Sequence, residues 1–117
     1  MNDADSRERK LSDEVAKLLK FKQSENVLDY GEVDPMPTVI TNHGVEMLPY
    51  QWQPAYDTPI GLRQAIQLAT DFKLVLDLGN IVAIYPYGNI TIQDETIQLA
   101  IVKLIIVLLK NQQAGIT

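Results

Sequence analysis

The amino-acid sequence predicts a single α+β domain over residues 1–117. A small antiparallel sheet, a meander with a hairpin N-terminal to it, packs against a very apolar C-terminal helix and two further helices. Three observations carry this expectation. Residues 97–109 are apolar except for Gln98 and Lys103, and such a run outlasts an ordinary strand and suits a helix. Leu74, Leu76 and Leu78 alternate with Lys73, Val75 and Asp77, the period of a strand with one buried face. Leu62, Ala65, Ile66 and Ala69 recur at helical spacing behind Thr58 and Pro59, which suit the cap and first position of a helix.

Taken in order, residues 1–7 are expected to be flexible and residues 8–23 to form an amphipathic helix. Ser12 suits its N-cap, Asp13 and Glu14 its first turn, and Lys17, Lys20 and Lys22 its last turns, matching the helix dipole. Leu11, Val15, Leu18 and Leu19, with Phe21 at the end, make its apolar stripe. Residues 26–60 change character: they hold Pro35, Pro37, Pro49, Pro54 and Pro59, five of the six prolines, with Tyr30, Tyr50, Trp52 and Tyr56. Proline removes amide donors and fixes φ, which predicts a loop pinned by its aromatics and one short hairpin. That hairpin runs through residues 38–41, turns at Asn42-His43-Gly44 and returns over 45–48.

Residues 58–112 read as a helix–strands–helix core. The first helix closes its stripe at Phe72, and the strand over 74–78 follows. Gly79-Asn80 fits a two-residue type II′ loop, residues 81–85 form the next strand, and Pro86-Tyr87-Gly88-Asn89 supply a second turn before 90–92. Tyr85–Pro86 is a candidate for a cis bond. Asp94 suits the cap of the last helix, with Glu95 in its first turn and Lys110 at its end.

Composition excludes several function classes. There are no cysteines, which removes disulfides, zinc–thiolate sites and thiol catalysis. The net charge is −5, and it is uneven. Residues 1–22 balance six basic side chains against five acidic ones, whereas the remainder sets four basic against ten acidic. An acidic body repels phosphate backbones, so no nucleic-acid partner is expected. The polar, acidic N-terminus lacks the apolar stretch of a secretory signal, and a run of about 13 apolar residues falls short of the ~20 needed to cross a bilayer. A cytoplasmic protein without a membrane partner is expected.

Catalytic constellations are sparse. His43 is the sole histidine and sits in a turn, where a structural role is the simpler one. Asp29, Glu32 and Asp34 cluster locally but lack the spacing of a calcium loop. No glycine-rich phosphate loop occurs. No catalytic residue, metal ligand or cofactor is therefore assigned. The aromatic residues Tyr50, Trp52 and Tyr56, with Arg63 nearby, are the candidate site for a ligand or partner. Trp52, flanked by Gln51, Gln53 and Pro54, is expected to be partly exposed.

The all-round apolar helix exceeds what a small domain is expected to cover. Leu99, Val102, Ile106 and Leu109 are accordingly assigned to a homo-oligomer interface. The function expected from this is a non-catalytic, homo-oligomeric binding or adaptor protein acting through protein–protein contacts. The alternative is a protein that sequesters or senses a small molecule in an aromatic-lined pocket near residues 48–63.

Overall fold

The computed structural model describes residues 3–28 and 36–113, with side chains over 7–23 and 38–112. Among the described residues three helices and two three-stranded antiparallel sheets follow the order α1 (Asp3–Leu18), β1 (Lys22–Leu28), β2 (Met36–Ile40), β3 (Glu46–Met47), α2 (Pro59–Asp71), β4 (Val75–Asp77), β5 (Val82–Tyr85), β6 (Ile90–Gln93) and α3 (Ile97–Gln113). A short 3-10 turn, Pro49–Gln51, precedes α2. The α+β class and the sheet packed on helices are as the sequence predicts.

The core is built around α3, which packs against α1, α2, β5 and β6. Leu99, Val102, Ile106 and Leu109 are 1%, 0%, 7% and 8% exposed within the single chain. This corrects their assignment to a subunit interface: they are the centre of the fold. Four neighbouring elements cover a helix that two could not, and each buried Leu or Ile stabilises by about 1.5–3 kcal/mol. The two lysines of its polar seam are paired, Lys110 with Glu14 of α1 at 2.8 Å and Lys103 with Asp94. Among the described residues no helix is long and apolar enough to cross a membrane.

Helix α1 begins at Asp3 rather than residue 8, so residues 3–7, expected to be flexible, are helical. Ser12 is fully buried in its middle and is not its cap. The hydroxyl instead accepts the Ala55 amide at 3.2 Å, and its carbonyl accepts the Trp52 indole N–H at 2.9 Å. The helix ends before residue 23 because Lys20 turns left-handed (φ 61°). Phe21 N–H then reaches Ala16 C=O and Lys20 N–H reaches Lys17 C=O, the paired closure that satisfies the last carbonyls. Helix α2 closes the same way at Lys73 (φ 58°), with Leu74 N–H on Ala69 C=O.

The hairpin β2–β3 forms as expected, pairing Ile40 with Glu46 and Val39 with Met47. Its turn places Gly44 at φ 79°, a conformation glycine adopts without steric cost, in the three-residue loop geometry common to hairpins. Strand β1 pairs antiparallel with β2, Lys22 opposite Ile40 and Leu28 opposite Met36, where a helix end and a loop were expected. The residues Asp29, Glu32 and Asp34 lie outside the described residues.

Helix α2 is capped as predicted: Thr58 accepts the Gly61 amide at 2.9 Å and Pro59 follows it. Its buried face is Gly61, Ala65, Leu68 and Ala69, whereas Leu62 and Ile66 are each 39% exposed. The apolar stripe thus lies rotated from the expected one.

The meander β4–β5–β6 is as predicted, with two corrections in its first turn. Asp77 pairs with Val82, so the loop has four residues, and Ile81, not Gly79, carries the positive φ (57°). Leu78 belongs to that turn and is 65% exposed instead of buried. The second turn, 86–89, is as expected, and the Tyr85–Pro86 bond is trans. Thr96, not Asp94, caps α3 by accepting the Leu99 amide at 3.2 Å.

Candidate functional site

A cleft of about 400 Å³ opens between the β2–β3 hairpin and one face of α2. Each wall follows from local structure. On α2, Ile60, Gln64, Gln67 and Asp71 stand three or four residues apart, and Arg63 lies beside them, so their side chains share one face. The hairpin contributes Thr41, Asn42, His43, Val45 and Met47, and the floor is Trp52 and Leu68.

The floor is rigid. Trp52 is 7% exposed, its indole N–H held by Ser12 C=O and its ring packed edge-on to Phe21 with centroids 4.8 Å apart. The expectation of partial exposure is therefore corrected: α1 supplies the cover that the neighbouring glutamines and proline do not. Gln64 fastens the adjoining loop, accepting the Gln53 amide at 2.7 Å and donating to Gln51 C=O at 2.9 Å.

The rim is polar. His43 Nε2 lies 2.6 Å from Asp71 Oδ2, and Gln67 donates to Asp71 Oδ1 at 3.0 Å. A carboxylate only accepts, so the imidazole carries its proton on Nε2. The turn holds the histidine in place, because Thr41 Oγ1 accepts both the His43 and Val45 amides at 3.2 Å. The pair joins the hairpin to α2 across 28 residues of sequence. Spacing along the chain carries no signal for such a contact.

The four residues singled out by sequence divide. Trp52 and Arg63 meet at the cleft. Tyr50 and Tyr56 stand instead beside α1, around Arg9. Its guanidinium lies 5.6 Å from the Tyr56 ring centroid and donates to the Tyr50 and Trp52 carbonyls. The Tyr56 ring and the Tyr50 and Trp52 carbonyls thus face α1, while the Tyr50 side chain is exposed. Of the residues lining the cleft, sequence reasoning reached only Trp52 and Arg63, and those it missed include His43, Met47, Gln67 and Asp71. Only the helical spacing of Ile60, Gln64, Gln67 and Asp71 pointed to any of them.

Chemically the cleft offers an apolar floor, a guanidinium and a closed His–Asp–Gln network. Among the described residues the ring of His43 bonds to Asp71 and to no hydroxyl. Among the described residues no group of three or more histidine or carboxylate side chains stands close enough to hold a metal ion. No protein-family model, no curated protein and no solved structure matches the chain.

Proposed function

We propose that the chain is a non-catalytic binding protein that sequesters or senses a small molecule with an apolar body in the cleft between β2–β3 and α2. The observation that carries this is the combination of a buried, tethered apolar floor, Trp52 and Leu68, with exposed polar groups at the rim. Its volume stands near the lower end of those that enclose small ligands. The reading takes the protein to act in the cytoplasm, without a cofactor and without a nucleic-acid or membrane partner. The acidic balance of residues 23–117 supports the nucleic-acid exclusion.

A thermal-shift screen of small apolar and amphipathic compounds tests it. A ligand bound only to the native state stabilises by about 2.7 kcal/mol at a hundred times its Kd. Ile60→Glu, on the half-exposed rim, should abolish the shift without unfolding the protein. If no compound raises Tm, or if Ile60→Glu leaves every shift intact, the cleft is not the site.

A second reading, a homo-oligomeric adaptor, no longer draws support from the covered helix α3. It draws some from Leu62 and Ile66, adjacent on the flank of α2 away from the cleft and each 39% exposed. Sedimentation of the wild type and of Leu62→Glu across the micromolar range tests it: a monomer throughout removes this reading.

A further inference from the structure

We infer that the cleft selects an organic carboxylate, its anionic group held by Arg63 and its apolar chain laid over Trp52, Leu68 and Met47. This rests on the cleft being the ligand site and adds the class of ligand. The starting point is charge. Arg63 is exposed on the cleft rim and has neither an ion pair nor a hydrogen bond among the described residues. It is one of four basic side chains in residues 23–117, against ten acidic ones. An unpaired guanidinium in so acidic a stretch leaves five N–H donors directed at solvent.

The carboxylate in the same cleft does not neutralise it. Asp71 is eight residues further along α2, about 12 Å by helical rise. Each of its oxygens already accepts a hydrogen bond, Oδ2 from His43 Nε2–H at 2.6 Å and Oδ1 from Gln67 Nε2–H at 3.0 Å. Gln64 is likewise committed to the backbone of Gln51 and Gln53. The formal charge left without a partner at the α2 rim is therefore that of Arg63, since Asp71 already faces His43 and Gln67. A cationic ligand would meet repulsion from Arg63 and would have to share Asp71 with His43 and Gln67.

Geometry then chooses among anions. A planar guanidinium presents two parallel N–H groups that match the two oxygens of a carboxylate. The floor beside it is apolar, so the ligand that satisfies both has a carboxylate at one end and a hydrocarbon or aromatic body at the other. An inorganic anion would leave the floor unused, and a neutral lipid would leave the guanidinium unpaired.

The test uses three probes with one tail: octanoate, 1-octanol and octylamine, the last protonated at pH 7. Trp52 is the single tryptophan and lies in the floor, so its emission reports occupancy, with amide chemical shifts of residues 41–47 and 60–71 locating it. Wild type should bind octanoate at least about tenfold more tightly than octanol, with octylamine weakest, the scale of one charge-assisted bond at a wet rim. In Arg63→Gln, an exposed change that keeps helix propensity, octanol affinity should stay within about twofold of wild type and the preference for octanoate should disappear. If wild type binds acid and alcohol alike, or if the preference survives in Arg63→Gln, the carboxylate inference is overturned while the cleft stands. If none of the three moves the emission or the shifts, the cleft itself is refuted as an apolar ligand site and the inference falls with it.

Discussion

Replacing Gly61 with alanine sets two effects of opposite sign against each other. In a helix, alanine is preferred over glycine by up to about 1 kcal/mol, so the substitution should stabilise α2 if nothing stood in the way. A Cβ at this position would lie 2.2 Å from the Tyr56 carbonyl oxygen, 2.6 Å from that of Gln53 and 3.0 Å from Thr58 Oγ1. Relief requires the Tyr56 carbonyl to retreat by at least about 1.2 Å to reach ordinary contact. The loop is not free to do so: Ala55 N–H is bonded to Ser12 Oγ, Gln53 N–H to Gln64, and Trp52 to the Ser12 carbonyl. Overpacking costs about 1–3 kcal/mol, and stretching the tethers adds about 1 kcal/mol for each bond lost. We expect Gly61→Ala to destabilise by about 2 kcal/mol net, a fall in Tm of about 8 °C for a domain of this size. Urea unfolding followed by Trp52 emission and far-UV circular dichroism measures it. Gly79→Ala is the control, because its Cβ would meet only Asp77 Oδ1 at 3.6 Å, and it should fall within about 0.5 kcal/mol of wild type. A Gly61→Ala protein as stable as the wild type would refute the seating of the aromatic loop on α2.

Trp52 should emit at a blue-shifted maximum and resist acrylamide quenching. Trp52→Ala should cost about 3–5 kcal/mol, the range for emptying a buried aromatic site; a red-shifted, freely quenched emission would contradict the packing against Phe21 and Ser12. Asp94 gives a pH prediction. Burial pushes its carboxyl up, but the hydrogen bond from Lys103, the Glu95 amide and the charges of Lys103 and Arg7 outweigh this and hold it below the ordinary range. Its stabilisation is thus present above the unfolded aspartate value of about 3.9 and is lost as pH falls through the lower folded value. Asp94→Asn should cost about 0.5–1 kcal/mol at pH 7, modest because Lys103 is partly solvated. The gap to wild type should narrow below about pH 4, and a gap constant from pH 7 to 3 would exclude this role.

Local signals in the sequence determined the fold class, the existence of three helices, the meander and the β2–β3 hairpin. Thr58 and Pro59 start α2 because a cap and a fixed φ act within one turn, and Asn42-His43-Gly44 turn because glycine tolerates the left-handed region. Apolar run length identified α3 for the same reason: periodicity is a property of the segment itself. Tertiary structure alone decided which faces are covered. Residues 97–109 looked like surplus apolar area, and only the arrangement of α1, α2, β5 and β6 around them made them core. Ser12 carries an N-cap signature, yet its hydroxyl serves Ala55, 43 residues away. Strand β1 is polar and unpatterned, and it is extended because β2 offers a partner edge, the context that governs strand formation. The cleft depends on the same kind of contact: Trp52 and Arg63 were legible as residue types, whereas the His43–Asp71 pair spans 28 residues. A contact made by folding two elements together leaves no trace in the spacing of either.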